Sequence, residues 1–378
     1  MRRPLLLPLV PLYAAGLALR EMRLERGWEK VHRLRWPVIS VGNLSTGGSG
    51  KTPLVIALAR MLTAHGFRVD VLSRGYGRRS ALPLRVDVNG SADQFGDEPL
   101  LIAREAGVPV YVTRERYEAG QLAEAESAVL QESNCSGAKA RSSSADFSAR
   151  LKTTPTSEGN SLGTPVKSCP DTSPPRSRCS IHILDDGFQH RQLARDMDVV
   201  HVNREDWRDH LLPAGNLRES IEAGRRASVL AIPAGDAGFE EKLRAWGWTG
   251  PVWHVRRRME VPQVDGPVAA FCGIARPEQF FEGLESAGLR VAMKKAFRDH
   301  YEYSKKDVDW LAGQARSAGA TALITTEKDA VRMGRLAARF PAELALKTAK
   351  LRMTIVEEDA VLDWIGARLN GVGVRGAL

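Results

Sequence analysis

From Pro37 onward, short apolar runs alternate with stretches of helical periodicity. Val38 to Val41, Arg68 to Leu72, Val108 to Val112, Ile181 to Leu184, Val199 to Val202 and Val229 to Ile232 predict strands. Between them, Pro53 to His65, Pro99 to Ala106 and Arg116 to Leu130 predict helices. That alternation predicts an α/β fold with a largely parallel sheet. A second α/β unit begins near Val261, after the strand-like stretch VWHVRRR. Its predicted strands are Val268 to Cys272, Leu289 to Met293 and Ala322 to Thr325; its helices are Pro277 to Ala287, Lys305 to Ala318 and Asp359 to Leu369. The unusual residues gather in loops after strands, where open α/β sheets bind ligands.

Two segments break the rhythm. Residues 131–180 hold 17 Ser/Thr and five Pro in 50 positions, with almost no large apolar side chains. Such a stretch cannot bury enough surface to offset its ordering entropy, so it reads as a disordered insertion. At the N-terminus, Arg2 and Arg3 precede an uncharged run from Pro4 to Ala18, followed by Arg20, Arg23, Arg26, Lys30, Arg33 and Arg35. An apolar segment flanked by cations can lie in the headgroup region of an anionic bilayer. We read residues 1–35 as a membrane-associating segment; an N-terminal core helix is the alternative.

Composition is that of a soluble globular chain, 43% hydrophobic and 26% charged, which excludes a multi-span membrane protein. The formal net charge of +9 is unevenly placed. Residues 1–35 carry eight Lys/Arg against three Glu and residues 131–180 carry seven against four acids, which leaves a near-neutral body. No broad basic face remains to neutralise a run of phosphates, so no nucleic-acid partner is expected. No obligate protein partner is expected either. Cys135, Cys169, Cys179 and Cys272 show no metal-ligand spacing, and the one thiol in the body suits a reducing compartment.

The strongest local signal is VISVGNLSTGGSGKTP, Val38 to Pro53: strand, Gly-rich loop, Lys-Thr, helix. Loop amides from Ser45, Thr46, Gly47, Gly48, Ser49 and Gly50 can wrap a phosphate chain. Lys51 supplies a mobile point charge and Thr52 a hydroxyl for Mg²⁺. This is a P-loop in context, although Ser45 stands where GxxxxGK[ST] has its first glycine. GDEP (Gly96 to Pro99) and DDGFQH (Asp185 to His190) add strand-end acids, which a nucleoside triphosphate with Mg²⁺ needs for its metal and for the acceptor's proton.

Taken in order, GNLSTGGSGKTP, LSRGYGR, GDEP, LDDGFQH, LPAGNLRE, FCGIARPEQFF, DHYEY and TTEKDAVR resemble the tetraacyldisaccharide 4′-kinase family of lipid A biosynthesis. The resemblance covers essentially the whole chain except residues 131–180. It implies a P-loop NTPase-like α/β/α sandwich over 36–260, a smaller α/β/α domain over 261–378 and a short two-stranded β linker. It also implies ATP and Mg²⁺ as cofactors, a tetraacyldisaccharide 1-phosphate acceptor, and a place on the anionic lipid at the cytoplasmic face of the bacterial inner membrane. By the same resemblance Asp97 is the base, assisted by His300. Thr52, Glu98, Asp185 and Glu219 surround the metal. Arg74, Tyr76, Arg116 (or Arg114 beside it) and His190 face the lipid phosphate or sugar. Two rivals are a membrane-recruited partitioning ATPase, which would carry lysine where Thr46 stands, and a non-catalytic basic binding protein, which the charge distribution disfavours.

Overall fold

The computed structural model describes residues 3–47, 50–78, 80–129 and 180–371. The insertion expected at 131–180 lies, apart from its last residue, outside the described residues, as do Cys135, Cys169 and Cys179. In chain order the elements begin with a 3₁₀ turn, Pro4–Leu9, running into α1, Val10–Glu25. There follow β1 Val38–Asn43, α2 Lys51–Ala64, β2 Arg68–Ser73, β3 Leu84–Arg85, α3 Ala92–Phe95, α4 Asp97–Ala106, β4 Val110–Val112 and a helix α5 over 116–129. After the insertion come β5 Ser180–Asp185, β6 Met197–His201, α6 Arg204–Trp207, β7 Val229–Pro233, α7 Ala237–Ala245 and β8 Val252–Glu260. The second unit holds β9 Val268–Cys272, α8 Pro277–Ser286, β10 Val291–Ala296, α9 Lys305–Ser317, β11 Ala322–Thr326, α10 Glu327–Met333, β12 Leu346–Ile355 and α11 Glu358–Gly371.

The described strands form one twelve-stranded sheet in the order β10-β9-β11-β12-β8-β7-β6-β1-β5-β2-β4-β3. Strand β1 pairs in parallel with β5 on one side and β6 on the other. The strand that feeds the Gly-rich loop is therefore central, at the kind of switch point where a crevice opens beyond the strand ends. Both faces of β1 are fully buried, which is why it reads as an unbroken apolar run.

Two long strands join the units. β8 pairs with β7 through residues 252–255 and antiparallel with β12 through 255–260, while β12 pairs with β11 through 346–349 before turning to β8. This antiparallel pair matches the expected β linker. The sequence reading caught only half of it: VWHVRRR was read as strand-like, and β12 was missed although Leu351, Met353 and Ile355 alternate with polar residues. The last helix crosses back. Val361, Ile365 and Leu369 of α11 pack with Leu54, Val55 and Leu58 in the larger core, though they follow the smaller unit in sequence. A separate core of Phe271, Leu311, Leu323 and Met333 supports the second unit.

The N-terminal helix is the exception to burial. No residue of Pro4–Glu25 is buried, and Leu5 and Leu12 are 93% and 75% exposed. It is nonetheless tied to the body: Tyr13 donates to the Arg218 carbonyl at 2.9 Å, and Glu21 pairs with Arg191.

Candidate active site

Beyond the strand ends, a cleft of about 660 Å³ opens between the two units. Its floor is the Gly-rich loop. Gly50 adopts φ +84 as the N-cap of α2, a conformation that costs glycine little, and so delivers Lys51 and Thr52 in the first helical turn. Lys51 Nζ donates to Asn43 Oδ1 at 2.9 Å and pairs with Asp186 Oδ1 at 3.0 Å. Gly47, Gly50, Lys51 and Thr52 line the cleft. Ser45 does not: it is buried and accepts from Asn43 Nδ2 at 3.0 Å. Thr46 is turned to the 212–219 loop, bonding the Asn216 carbonyl through N at 2.7 Å. Gly48 and Ser49 lie outside the described residues.

Strand β5 brings the next pair of acids. Asp185 is buried at its end and accepts from Ser73 Oγ at 2.9 Å through Oδ2, while its Oδ1 has no hydrogen-bond partner. Burial, followed by the charges of Glu98 and Asp186, pushes its carboxyl up to about 7. Asp186 sits at φ +49, and its carboxylate is shared between Lys51 and Arg218, the latter at 2.8 Å. Burial raises the Asp186 carboxyl, but Lys51 and Arg218 outweigh it and hold it well below the usual carboxylate range.

Asp97 and Glu98 open α4. The preceding Gly96 has φ +89, and a Cβ there would stand 3.0 Å from the Tyr76 carbonyl, so glycine lets the two loops approach. The second unit meets these acids with cations. Lys328 Nζ pairs with Glu98 at 2.5 Å, and Arg332 Nε donates to Asp97 Oδ2 at 2.8 Å. His300 Nδ1 lies 3.4 Å from the same oxygen, so the two predicted catalytic residues, about 200 positions apart in sequence, meet across the cleft. Burial alone would raise the Asp97 carboxyl, but the hydrogen bond with His300 and the charges of Arg332 and Lys328 hold it well below the usual carboxylate range. His300 in turn is raised, chiefly by its hydrogen bond to Asp97.

Of the predicted substrate residues, Arg74, Tyr76 and Arg116 line the cleft. Tyr76 is 67% exposed and meets the His300 ring edge-on with centroids 5.7 Å apart. Arg116 is buried, with Nη2 at 3.4 Å from the Asp186 carbonyl and Nε unpartnered. His190 lies away from the cleft lining, among cations; burial, then Arg116 and Arg195, push its imidazole down to about 3 and keep it neutral. Glu219, expected at the metal, is not brought to the cleft. Its carboxylate pairs with Arg226 and lines a smaller cavity beside α1. The residue before it, Arg218, reaches the site instead.

The donor set suits a hard divalent cation bound with a phosphate chain. Among the described residues no three acidic, His or Cys side chains form a closed cage. A cation such as Mg²⁺ needs only one or two carboxylates, with phosphate and water supplying the rest. The orphaned Oδ1 of Asp185, close to Glu98, is such a donor. Sequence reasoning picked out Asp186 within DDGFQH without giving it a role of its own, and it did not single out Lys328 or Arg332 within TTEKDAVR. The signal was present, since DDGFQH and TTEKDAVR both follow strand ends.

The family model described as tetraacyldisaccharide-1-P 4′-kinase matches residues 2–133 and 169–370, leaving unmatched only a stretch inside the expected insertion and the termini. A protein named tetraacyldisaccharide 4′-kinase from Koribacter versatilis is 37% identical over 95% of this chain and 97% of its own length. Another of that name from Desulfotalea psychrophila is 31% identical over 92% of each. A crystal structure of "apo" form LpxK from Aquifex aeolicus in complex with ATP superposes with a TM-score of 0.65 at 27% identity, covering 96% of this chain and 98% of that one. Fold, cleft and sequence thus agree, and the chain belongs to the tetraacyldisaccharide 4′-kinase family, kinases that phosphorylate a sugar hydroxyl.

Proposed function

We propose that this chain transfers the γ-phosphoryl group of ATP·Mg²⁺ to the 4′-hydroxyl of a tetraacyldisaccharide 1-phosphate, at the cytoplasmic face of the bacterial inner membrane. The observation that carries this reading is the convergence of Lys51, Glu98, Asp185 and Asp97 from the larger unit with His300 from the smaller one on a single cleft. In it, residues 36–260 form the nucleotide-binding domain and 261–378 the smaller domain, with α11 packed on the larger core.

Phosphoryl transfer gains mostly from positioning and charge neutralisation. Lys51 exchanges Asp186 for the β- and γ-phosphates, and the loop amides hold the chain. Bound Mg²⁺ would supply further charge neutralisation, held by Thr52, Glu98 and Asp185. Asp97 accepts the hydroxyl proton late in transfer, when the acceptor oxygen has become acidic, so a carboxylate held strongly anionic serves. His300, drawn by Asp97, keeps that carboxylate aimed into the cleft. Arg74, Tyr76 and Arg116 take the headgroup, with His190 off the cleft lining in the field of Arg116 and Arg74. The exposed leucines of the 3₁₀ turn and α1 enter the bilayer beside a phosphorylated lipid that cannot diffuse free in water.

Two measurements test this. Labelled phosphate should move from γ-labelled ATP·Mg²⁺ to the acceptor in detergent micelles and fail to do so with Lys51→Ala; lipid-independent hydrolysis without labelled lipid would sink the reading. Leu5→Asp with Leu12→Asp should weaken co-sedimentation with anionic vesicles while ATP binding persists. Equal loss of both would instead mark α1 as part of the fold.

A further inference from the structure

Two side chains of the second unit contact the Asp97 carboxylate directly. Arg332 approaches its Oδ2 with Nε at 2.8 Å and Nη2 at 2.5 Å, whereas His300 Nδ1 stands farther off at 3.4 Å. Arg332 Nη2 is also 3.2 Å from that same Nδ1. An arginine can only donate, so the two contacts of Nδ1 belong to different protonation states. Protonated, Nδ1 donates to Asp97; deprotonated, it accepts from Arg332. The guanidinium therefore grips Asp97 in either state, holding the imidazole directly when Nδ1 is bare and through their shared carboxylate when Nδ1 is protonated.

Arg332 is also held far more firmly than His300. Its side chain is 8% exposed, against 42% for His300, which sits in a loop at φ +56. Nη1 donates to the Gly273 carbonyl at 2.6 Å and to Asp329 Oδ1 at 3.1 Å. Asp329 is fully buried and is itself held by the Gly273 amide at 3.0 Å, Tyr303 Oη at 3.1 Å and Thr326 Oγ1 at 2.6 Å. A rigid chain of contacts thus runs from the core of the second unit to the Asp97 carboxylate. One helical turn earlier, Lys328 meets Glu98, so α10 offers two cations four residues apart to two successive acids.

We propose that Arg332 is a positioning residue of the phosphoryl-transfer site: it fixes the Asp97 carboxylate and the His300 ring in the cleft and makes their assembly depend on the second unit being seated. The inference rests on the reading of Asp97 as base. Arg332 touches no reacting atom in this scheme and acts through Asp97 and His300.

The test compares Arg332→Ala, Arg332→Lys, Asp97→Asn and Asp97→Asn with Arg332→Ala, each assayed for kcat, for KM of ATP and of the lipid acceptor, and for melting temperature. Loss of aim at a reacting group costs on the order of 100-fold in rate. Arg332→Ala should lower kcat by about that factor with KM for ATP within about threefold, and added methylguanidine should restore part of the rate. Arg332→Lys should fall between, because it keeps the charge but loses the two-nitrogen grip. In the double variant the second substitution should cost little beyond Asp97→Asn. Parental kcat in Arg332→Ala, or losses that simply multiply, would overturn the proposal. Should Arg332→Ala melt early, Arg332→Lys decides: parental kcat in that variant overturns it equally. Full activity in Asp97→Asn would sink the base reading itself, whereas an inactive Asp97→Asn beside a fully active Arg332→Ala sinks only the positioning role.

Discussion

Strand β5 carries two buried ionisable side chains three residues apart, and they live in opposite circumstances. His182 is completely buried on one face of the sheet; its Nδ1 lies 2.6 Å from Asp70 and its Nε2 3.4 Å from Glu124. Asp185, on the other face, has one oxygen satisfied and one without a partner, with Glu98 and Asp186 adding like charge. Residues an odd number apart on a strand face opposite ways, so a single six-residue strand supplies a closed polar cluster to one side and an open one to the other. Where every polar group is matched, burial buys rigidity; where one is left open, the site is prepared for something that arrives later.

Asp185→Asn should separate the two roles most sharply. Removing the carboxylate relieves its repulsion with Glu98 and Asp186, so melting temperature should hold or rise. Phosphoryl transfer should fall by about 10³-fold, the cost of losing roughly 4 kcal/mol of charge neutralisation. A variant that melts early yet transfers phosphate normally would invert the comparison. His182→Ala should do the reverse. It strands Asp70 as a buried carboxylate without its partner and takes one of the two contacts of Glu124, which costs about 3–5 kcal/mol in unfolding measurements, while specific activity per folded molecule stays at the parental value.

The open half of this comparison was legible in sequence and the closed half was not. Adjacent acids after an apolar run announce themselves, because nothing structural calls for Asp185-Asp186 beside a phosphate loop. His182 lies inside Ile181 to Leu184, and its partners are 112 and 58 residues away, so no local pattern reveals them. Distance hid the second unit's contribution in the same way: Lys328 finds Glu98 across 230 residues. Glu219 stays off the cleft lining for a different reason. The loop after α6 turns Arg218 toward Asp186 and its neighbour away toward Arg226, a choice of direction that neighbouring residues in an irregular loop do not disclose.

A smaller effect sharpens the closed side further. Burial lowers the His182 imidazole, but Asp70 and Glu124 overcome it and push it up to about 9 from 6.5. A folded value above the unfolded one means a contribution present in full below about pH 6.5 and lost as pH rises through about 9. Stability of the parent chain, followed by urea denaturation, should therefore decline across that window, and the decline should be shallower in His182→Leu. Parallel pH profiles for the two would show that His182 is neutral in the fold and that its contacts are ordinary hydrogen bonds.

The smallest effect comes from the ring that covers the cluster. Trp36 stacks on His182 with centroids 5.0 Å apart and planes at 28°, and Arg68 lies 5.7 Å from the Trp36 ring. Its backbone amide also donates to Glu124 Oε1 at 2.9 Å, a bond any residue but proline would keep. Trp36→Leu therefore removes stacking and the cation's contact without opening the hydrogen-bonded cluster, and should cost about 1 kcal/mol. That loss should shrink in the His182→Ala background, because an aromatic face has less to stabilise once the imidazolium beneath it is gone. Equal losses in both backgrounds would mean that Trp36 acts by filling space against the sheet, and that the closed cluster on β5 ends at its two carboxylates.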